Sequence, residues 1–172
     1  MMAEKHQYDP ERHHRKGLRL PKHDYRFGTF FITTNVQIYE PMFEIPALKT
    51  ILEREWSHLK RRYPGAILGE FVVMPDHIHF LITLRGLTEP RPYLWDVLRA
   101  YKSRVTDVWI TYLKQHNLQC PAVFWQERYY ERVMRDARES ETVARYIREN
   151  PEKLSNPKEV FWDGKAGYWV DL

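Results

Sequence analysis

The alternation of apolar and polar positions predicts four strands. Three runs are rich in β-branched and aromatic residues, the composition that strands favour, and they cover residues 29–38, 66–74 and 77–85. Pro75 and Asp76 separate the second run from the third, which predicts a tight hairpin turn. A fourth strand is expected within residues 124–135, centred on Tyr130 to Met134.

Apolar residues that recur at intervals of three and four predict three helices. The first covers residues 45–63, where Pro64 and Gly65 close it, and the second begins near Leu94 and carries an apolar stripe of about five turns. The third covers residues 139–150. Pro151 is expected to stop this last helix, because proline lacks the backbone N–H and clashes with the preceding turn.

The resulting order, β-α-β-β-α-β followed by one more helix, predicts a ferredoxin-like α+β sandwich, in which the first two helices cover one face of an antiparallel sheet. We divide the chain into a basic amino-terminal arm (1–26), one domain (27–153) and a carboxyl-terminal tail (154–172). The arm is interpreted either as a phosphate-binding segment or as a solvated terminus. Seven of its basic residues lie close together: His13, His14, Arg15, Lys16, Arg19, Lys22 and Arg26.

Composition limits the chemistry available to this chain. Its 172 residues suit one domain with one core. Cys120 is the only cysteine, which excludes an intrachain disulfide and a thiolate cluster, so any metal should be a harder ion such as Mg²⁺ or Mn²⁺. No apolar run resembles a membrane span or a secretory signal, so we expect a cytoplasmic protein. The net charge of +4 permits a polyanionic partner without requiring one.

His77 and His79 lie two residues apart in the third predicted strand. Side chains alternate between the faces of a strand, so both imidazoles should point the same way, with Cα atoms roughly 7 Å apart. Two imidazoles in this position can bind one metal ion. The apolar residues Ile78, Phe80 and Ile82 would then face the helices. The alternative is that the two histidines are simply the polar, solvent-facing side of the strand.

Tyr146 and Asn150 are four residues apart in the third helix, so they should lie on one face, about one turn from each other. A phenol and an amide in this arrangement could address the same ion or phosphate. The alternatives are that Tyr146 packs in the core, as tyrosines commonly do, and that Asn150 is only the end of a helix before proline.

Aromatic and basic residues alternate before and within the fourth predicted strand, a mixture that suits stacking of unpaired bases and contact with phosphates. The second helix also has a basic face. From these segments we select five candidate nucleic-acid-binding residues: Lys102, Trp125, Arg128, Tyr129 and Arg132. Trp125 could equally be a core residue.

Three blocks of the sequence resemble the REP-associated tyrosine transposases, which belong to the single-tyrosine HUH transposases. The blocks occur in the family's order and are VMPDHIHFLI (73–82), WQERYYERVMRD (125–136) and YIRENPEK (146–153). The resemblance runs from about Tyr25 to Lys153. Two features depart from the family pattern: Leu154 stands where an aromatic residue often follows, and the tail has no counterpart that we can align.

The resemblance implies a ferredoxin-like, metal-dependent DNA transposase that cleaves and rejoins single strands. His77 and His79 match the metal-binding pair, Asn150 matches the position that can complete the metal site, and Tyr146 matches the nucleophile, which forms a 5′-phosphotyrosine intermediate. The implied cofactor is Mg²⁺ or Mn²⁺. The implied partner is single-stranded DNA folded into a REP-like hairpin, bound by a monomer or homodimer at the nucleoid.

Three alternative functions are also compatible with parts of the sequence. A non-catalytic module of the same fold would bind RNA or DNA while Tyr146 only packs. A two-histidine phosphoesterase would need a second histidine motif, which the sequence lacks. A structural or toxin-like interaction protein would require the three ordered blocks to be accidental.

Overall fold

The computed structural model describes residues 23–37, 41–86 and 91–155, and for 152–155 it describes only the backbone. A short 3₁₀ turn, Met42–Glu44, precedes the first helix. The strands and helices follow the expected order: β1 (Gly28–Asn35), α1 (Pro46–Arg62), β2 (Ala66–Val73), β3 (His77–Leu84), α2 (Leu94–Gln115), β4 (Tyr130–Val133) and α3 (Ala137–Ser155). Residues 1–22 of the basic arm and the tail beyond 155 lie outside the described residues.

The four strands form one sheet in the order β2-β3-β1-β4, and every neighbouring pair is antiparallel. Strands β1 and β2 therefore run in the same direction on either side of β3, and such pairs need a crossover, which α1 supplies. In the same way, α2 connects β3 to β4 across β1. The ferredoxin-like α+β sandwich is confirmed.

One face of the sheet packs against α1 and α2. Its central side chains come from alternate positions of β1 and β3 and are completely buried: Phe30, Ile32, Ile78, Phe80 and Ile82. They meet a layer of buried helix residues that includes Leu48, Leu52, Val97, Tyr101 and Val105. Each such side chain stabilises the fold by about 1.5–3 kcal/mol through burial. The expected orientation of Ile78, Phe80 and Ile82 is confirmed, so the intervening histidines face the other way.

Helix α3 covers part of the opposite face. Ala144 and Ile147 are buried against Phe31, Leu81 and Met134 in a second, smaller apolar cluster. The helix contacts both β2 and β3. Strand residues that face away from α1 and α2 therefore do not all face solvent, and those beneath α3 are enclosed.

The prediction that Pro151 stops the last helix is wrong, because α3 continues to Ser155. Proline removes one backbone hydrogen bond, but it breaks a helix only if no other interactions hold the flanking turns. Here the preceding turns are held against the sheet by Ala144 and Ile147. The helix also begins two residues earlier than expected, at Ala137.

The remaining boundaries agree with the expected ones to within a few residues. Strand β1 ends at Asn35 and not at Ile38, which lies outside the described residues, and Val36 then forms an isolated bridge with Trp125. At the amino-terminal side, Tyr25 is buried, and its carbonyl accepts a hydrogen bond from the Leu94 amide at 2.9 Å. Among the described residues, none of the helices combines the length and the apolarity needed to cross a bilayer.

Candidate active site

The imidazoles of His77 and His79 converge on the sheet face that α3 covers. Their Nε2 atoms are 3.0 Å apart, and the ring centroids are 4.5 Å apart. The His79 side chain is buried, whereas the His77 side chain is 24% exposed. Burial, with a smaller contribution from the neighbouring His77, lowers the pKa of His79 to about 3. His79 is therefore a neutral ring at neutral pH, with a lone pair on one of its two nitrogens.

The outer nitrogen of each imidazole has its own partner. His77 Nδ1 lies 2.6 Å from Asp76 Oδ1, and His79 Nδ1 lies 2.8 Å from the hydroxyl oxygen of Thr33. The hydrogen bond with His77 lowers the pKa of the Asp76 carboxyl. The two rings are thus held from behind, so that only their Nε2 atoms point toward each other.

The register of the sheet explains this arrangement. Thr33 on β1 pairs directly with His79 on β3, and Asn35 pairs with His77. Directly opposed residues have adjacent side chains on the same face. Asp76 reaches His77 because it occupies the turn immediately before β3. The sequence did not predict a role for Thr33, and it predicted Asp76 only as a turn residue. The position of Asp76 directly before His77 could have indicated a contact between the two side chains.

Helix α3 places Tyr146 over the histidine pair. The Tyr146 ring lies 5.8 Å from the His79 ring and 6.5 Å from Phe31, which itself lies 5.4 Å from His79. Burial raises the pKa of the Tyr146 phenol, and a hydrogen bond with the Asn150 side chain acts in the opposite direction. Asn150 is buried one turn further along. The structure therefore places Tyr146 beside His79, and Asn150 beside Tyr146.

The histidine pair fits the divalent cation that the resemblance implies. Two nitrogen ligands at roughly 2.1 Å from one ion, separated by a right angle, are about 3 Å apart, which matches the Nε2 separation. Within the part of the chain that the structure describes, no group of three or more His, Cys, Asp and Glu side chains could share an ion. The remaining ligands would come from Asn150, water or a phosphate, as is common for Mg²⁺.

Three of the five candidate nucleic-acid-binding residues line one cleft of about 510 Å³ between α2 and the segment before β4. Lys102 Nζ lies 5.5 Å from the ring centre of Trp125 and 5.9 Å from that of Tyr129, and it donates to the Gln126 carbonyl at 2.8 Å. Burial lowers the pKa of Lys102 to about 8. Trp125 is 8% exposed and belongs to the main core, so little of its side chain is open to solvent in the cleft.

The other two candidates lie elsewhere. Arg132 pairs with Phe31 in the sheet register and therefore belongs to the face that α3 covers, where it forms an ion pair with Glu139. Together with Arg135 and Arg138 it lines a second cleft of about 520 Å³ at the start of α3. Arg128 is exposed and lines neither cleft. The five residues do not form one surface.

Comparison with known sequences identifies one protein family. The sequence model of the family described as "Transposase IS200 like" matches residues 46–150, from the start of α1 to Asn150. The match covers more than half of the chain and includes both histidines and Tyr146. An uncharacterized protein of Haemophilus influenzae (strain Rd) is 27% identical, and the match covers 84% of this chain and 92% of the relative.

Two solved structures share the fold. One is described as a REP-associated tyrosine transposase bound to a REP hairpin. It matches with a TM-score of 0.58 and 22% identity, over 79% of this chain and 73% of that one. The other, from Deinococcus radiodurans R1, was described as a candidate transposase. It matches with a TM-score of 0.50 and 14% identity, over 76% of this chain and 95% of that one.

Proposed function

Because this chain belongs to the family of IS200-like transposases, we propose that it is a metal-dependent, single-stranded DNA endonuclease and strand transferase with Tyr146 as its nucleophile. The observation that supports this most is the position of Tyr146, whose ring lies 5.8 Å from that of His79, one of two imidazoles whose Nε2 atoms converge. The proposal is further supported by the elements that carry the motif residues: His77 and His79 lie on β3, and Tyr146 and Asn150 lie one turn apart on the helix above it.

In this proposal His77, His79 and Asn150 hold one Mg²⁺ or Mn²⁺ ion. A bound divalent cation would supply Lewis-acid polarisation of the scissile phosphodiester, an effect worth several kcal/mol. The chain contributes the orientation of its ligands: Asp76 and Thr33 hold the outer nitrogens of the two rings. Burial of His79 keeps that ring uncharged, so it does not repel a cation.

Tyr146 supplies the attacking oxygen. Its phenolic oxygen forms a bond to phosphorus while the bond from phosphorus to the 3′ oxygen breaks, which leaves a 5′-phosphotyrosine and a free 3′-hydroxyl. Attack by another 3′-hydroxyl reverses the step, so the bond energy is conserved and no ATP is required. Burial raises the Tyr146 pKa, and the Asn150 hydrogen bond acts against that increase by stabilising the phenolate.

The proposed substrate is a single DNA strand that carries a REP-like hairpin. The neighbour described as bound to a REP hairpin supports this choice, as does the cleft of Lys102, Trp125 and Tyr129, where an unpaired base could stack beside a cation. Arg128 and Arg132, which lie outside this cleft, would contact phosphates elsewhere along the same strand. The four proposed active-site residues belong to one chain, so a monomer could act, and a homodimer is also compatible with this arrangement. A DNA substrate suggests that the protein acts at the nucleoid, in the cytoplasm.

The test is incubation with end-labelled hairpin DNA, with and without Mn²⁺, followed by denaturing electrophoresis. We expect a metal-dependent protein–DNA adduct that disappears in Tyr146→Phe, which should still bind the DNA, and in His77→Ala, which should remain folded. Tyr130→Phe is the matched control, since Tyr130 also contacts Phe31, and it should keep the adduct. Adduct formation by Tyr146→Phe would move the nucleophile elsewhere, with Tyr129 or Tyr130 as the next candidates.

One observation favours a second function. Tyr146 is half-buried and packs in the smaller apolar cluster, as expected if the chain were a non-catalytic nucleic-acid-binding protein. That function predicts tight, metal-independent binding and no adduct with any hairpin tried, and the same gel distinguishes the two.

A further inference from the structure

A continuous chain of hydrogen bonds runs through the histidine pair. It joins the Thr33 hydroxyl to His79 Nδ1 at 2.8 Å, His79 Nε2 to His77 Nε2 at 3.0 Å, and His77 Nδ1 to Asp76 at 2.6 Å. Each link needs one hydrogen. Because an ionised carboxylate only accepts hydrogen bonds, the hydrogen of the last link belongs to His77 Nδ1.

For a neutral His77, this first assignment determines the others. A neutral His77 with its hydrogen on Nδ1 has a lone pair on Nε2, so the hydrogen between the two rings belongs to His79 Nε2. His79 Nδ1 is then an acceptor, and the Thr33 hydroxyl donates to it. In the absence of a cation, every nitrogen and oxygen atom of this hydrogen-bond chain then has a partner.

A cation bound between the two Nε2 atoms requires a different arrangement, since both nitrogens must then present lone pairs. His77 already does so. His79 must lose the hydrogen on Nε2 and gain one on Nδ1, a tautomer exchange that leaves its charge unchanged. His79 Nδ1 then becomes a hydrogen-bond donor, and its partner, the Thr33 hydroxyl, must change from donor to acceptor.

We propose that Thr33 is a positioning residue that permits this exchange, whereas Asp76 fixes His77 in one tautomer. A hydroxyl can donate or accept by rotating its hydrogen, so the side chain serves both states without moving its oxygen. Valine in its place would leave a buried Nδ1–H unsatisfied once the cation is bound, and such orphaned donors are costly. The inference rests on the proposed function in taking the two histidines as ligands.

The first test measures cation affinity, which does not depend on cleavage. Mn²⁺ is titrated into the full-length protein, and free Mn²⁺ is followed by electron paramagnetic resonance. We expect Thr33→Val to weaken binding about 10- to 100-fold, as other partners of metal-bound histidines do, and Thr33→Ser to restore it. Thr34→Val is the matched control. It is the same change one residue along β1, at a buried side chain on the opposite face, and its affinity should equal that of the wild type.

The second test locates the hydrogen directly. Long-range proton–nitrogen NMR correlations of the histidine rings distinguish protonated from unprotonated nitrogens, and Mg²⁺ serves as the diamagnetic cation. For His79 we expect the hydrogen on Nε2 without Mg²⁺ and on Nδ1 with it, while His77 keeps Nδ1–H in both states. The same His79 tautomer in both states, or wild-type Mn²⁺ affinity of Thr33→Val, would overturn the proposal. Unchanged Mn²⁺ affinity in His77→Ala would instead reject the ligand assignment of the proposed function.

Discussion

Lys102 is one of the residues proposed to contact DNA, and its surroundings should make that contact depend on pH. It is half-buried beside Trp125 and Tyr129, and desolvation lowers its pKa to about 8. An exposed lysine keeps its charge until about pH 10.4. Lys102 is therefore charged at neutral pH but becomes neutral as the pH rises through 8, well before ordinary lysines do.

We predict that single-stranded DNA binding loses one phosphate contact between pH 7 and pH 9.5. The slope of log affinity against log salt should become shallower by about 0.7, the value for one contact with a single strand. Fluorescence anisotropy over a salt series at both pH values measures this. Lys102→Met should show the shallow slope at both, while Lys114→Met, at an exposed lysine of α2, should respond to pH as the wild type does. An unchanged wild-type slope would contradict the role of Lys102.

Individual site residues were predictable from the sequence only where neighbours in the chain are also neighbours in space. His77 and His79 share a face because strands alternate, and Tyr146 and Asn150 share one because helices repeat every 3.6 residues. Thr33 is 46 residues from His79 and could be recognised as its partner only once the register of β1 on β3 was known. The local sequence does not determine that register.

At the level of elements, Glu139 connects α3 to the sheet. Its carboxylate, largely buried, accepts hydrogen bonds from the Arg135 amide at 2.7 Å and the Arg135 guanidinium at 3.3 Å, and it forms an ion pair with Arg132 on β4. Burial acts to raise the pKa of Glu139, but these hydrogen bonds outweigh it and leave the pKa lowered. At the far end of the contact, Arg148 binds Glu70 on β2 at 2.7 Å. Helix α3 is therefore held at both edges of the sheet.

We predict that Glu139→Gln lowers the free energy of unfolding by about 1.5–3 kcal/mol, the range for hydrogen bonds to charged groups. Urea denaturation measures it. Glu141→Gln, at the exposed partner of Arg148, should change stability by less than about 1 kcal/mol. Because the fold lowers the pKa of this carboxyl, its ionised form stabilises the folded state at pH values above about 4.5, the usual pKa of the group. This stabilisation is lost as the pH falls below that value. The difference between wild type and Glu139→Gln should therefore shrink toward pH 3, and a pH-independent difference would contradict the ionic origin.

Strand β2 contains an irregularity that depends on Gly69. The pairing with β3 shifts between Leu68 and Phe71, and a Cβ atom on Gly69 would lie 2.9 Å from the Leu81 Cβ. We predict that Gly69→Ala destabilises the protein by about 1–3 kcal/mol through overpacking. Combined with Leu81→Gly, which removes the Leu81 Cβ, it should cost less than the sum of the two single changes, because the contact between the two Cβ atoms is then absent. Thermal unfolding of the four proteins measures the cycle, and strict additivity would contradict this cause.

The extent of α3 shows why element boundaries were less predictable than element order. Pro151 marks a missing backbone donor, and the sequence alone indicates a helix end there. The position of Ala144 and Ile147 against Phe31 and Leu81 holds the preceding turns, and this packing belongs to tertiary structure. The order of elements was predictable because each period, two or 3.6, extends over many residues.

For the whole molecule, the sheet divides the five candidate nucleic-acid-binding residues, which the sequence suggested as one group, between different surfaces. Lys102 and Tyr129 lie in the cleft beside α2, and Arg132 lies on the face with His79. The two surfaces approach each other at one end of β1, where the Gln126 amide donates to the Asn35 carbonyl and Asn35 pairs with His77. Two strand spacings, about 10 Å, separate Gln126 from His77, so one extended DNA strand could occupy both.

A cation at the histidine pair should connect the sheet to α3, because His77 and His79 belong to β3 while Asn150 belongs to the helix. We predict that Mn²⁺ at 100 times its dissociation constant raises the free energy of unfolding by about 2.7 kcal/mol and slows amide exchange in both elements, measured by hydrogen exchange with mass spectrometry. In Asn150→Ala the protection should persist in β3 and disappear from α3, whereas Arg145→Ala, at an exposed position of the same helix, should retain both. Protection of α3 that survives Asn150→Ala would mean that Tyr146, or the packing alone, holds the helix to the occupied site, and Asn150 would no longer be a ligand.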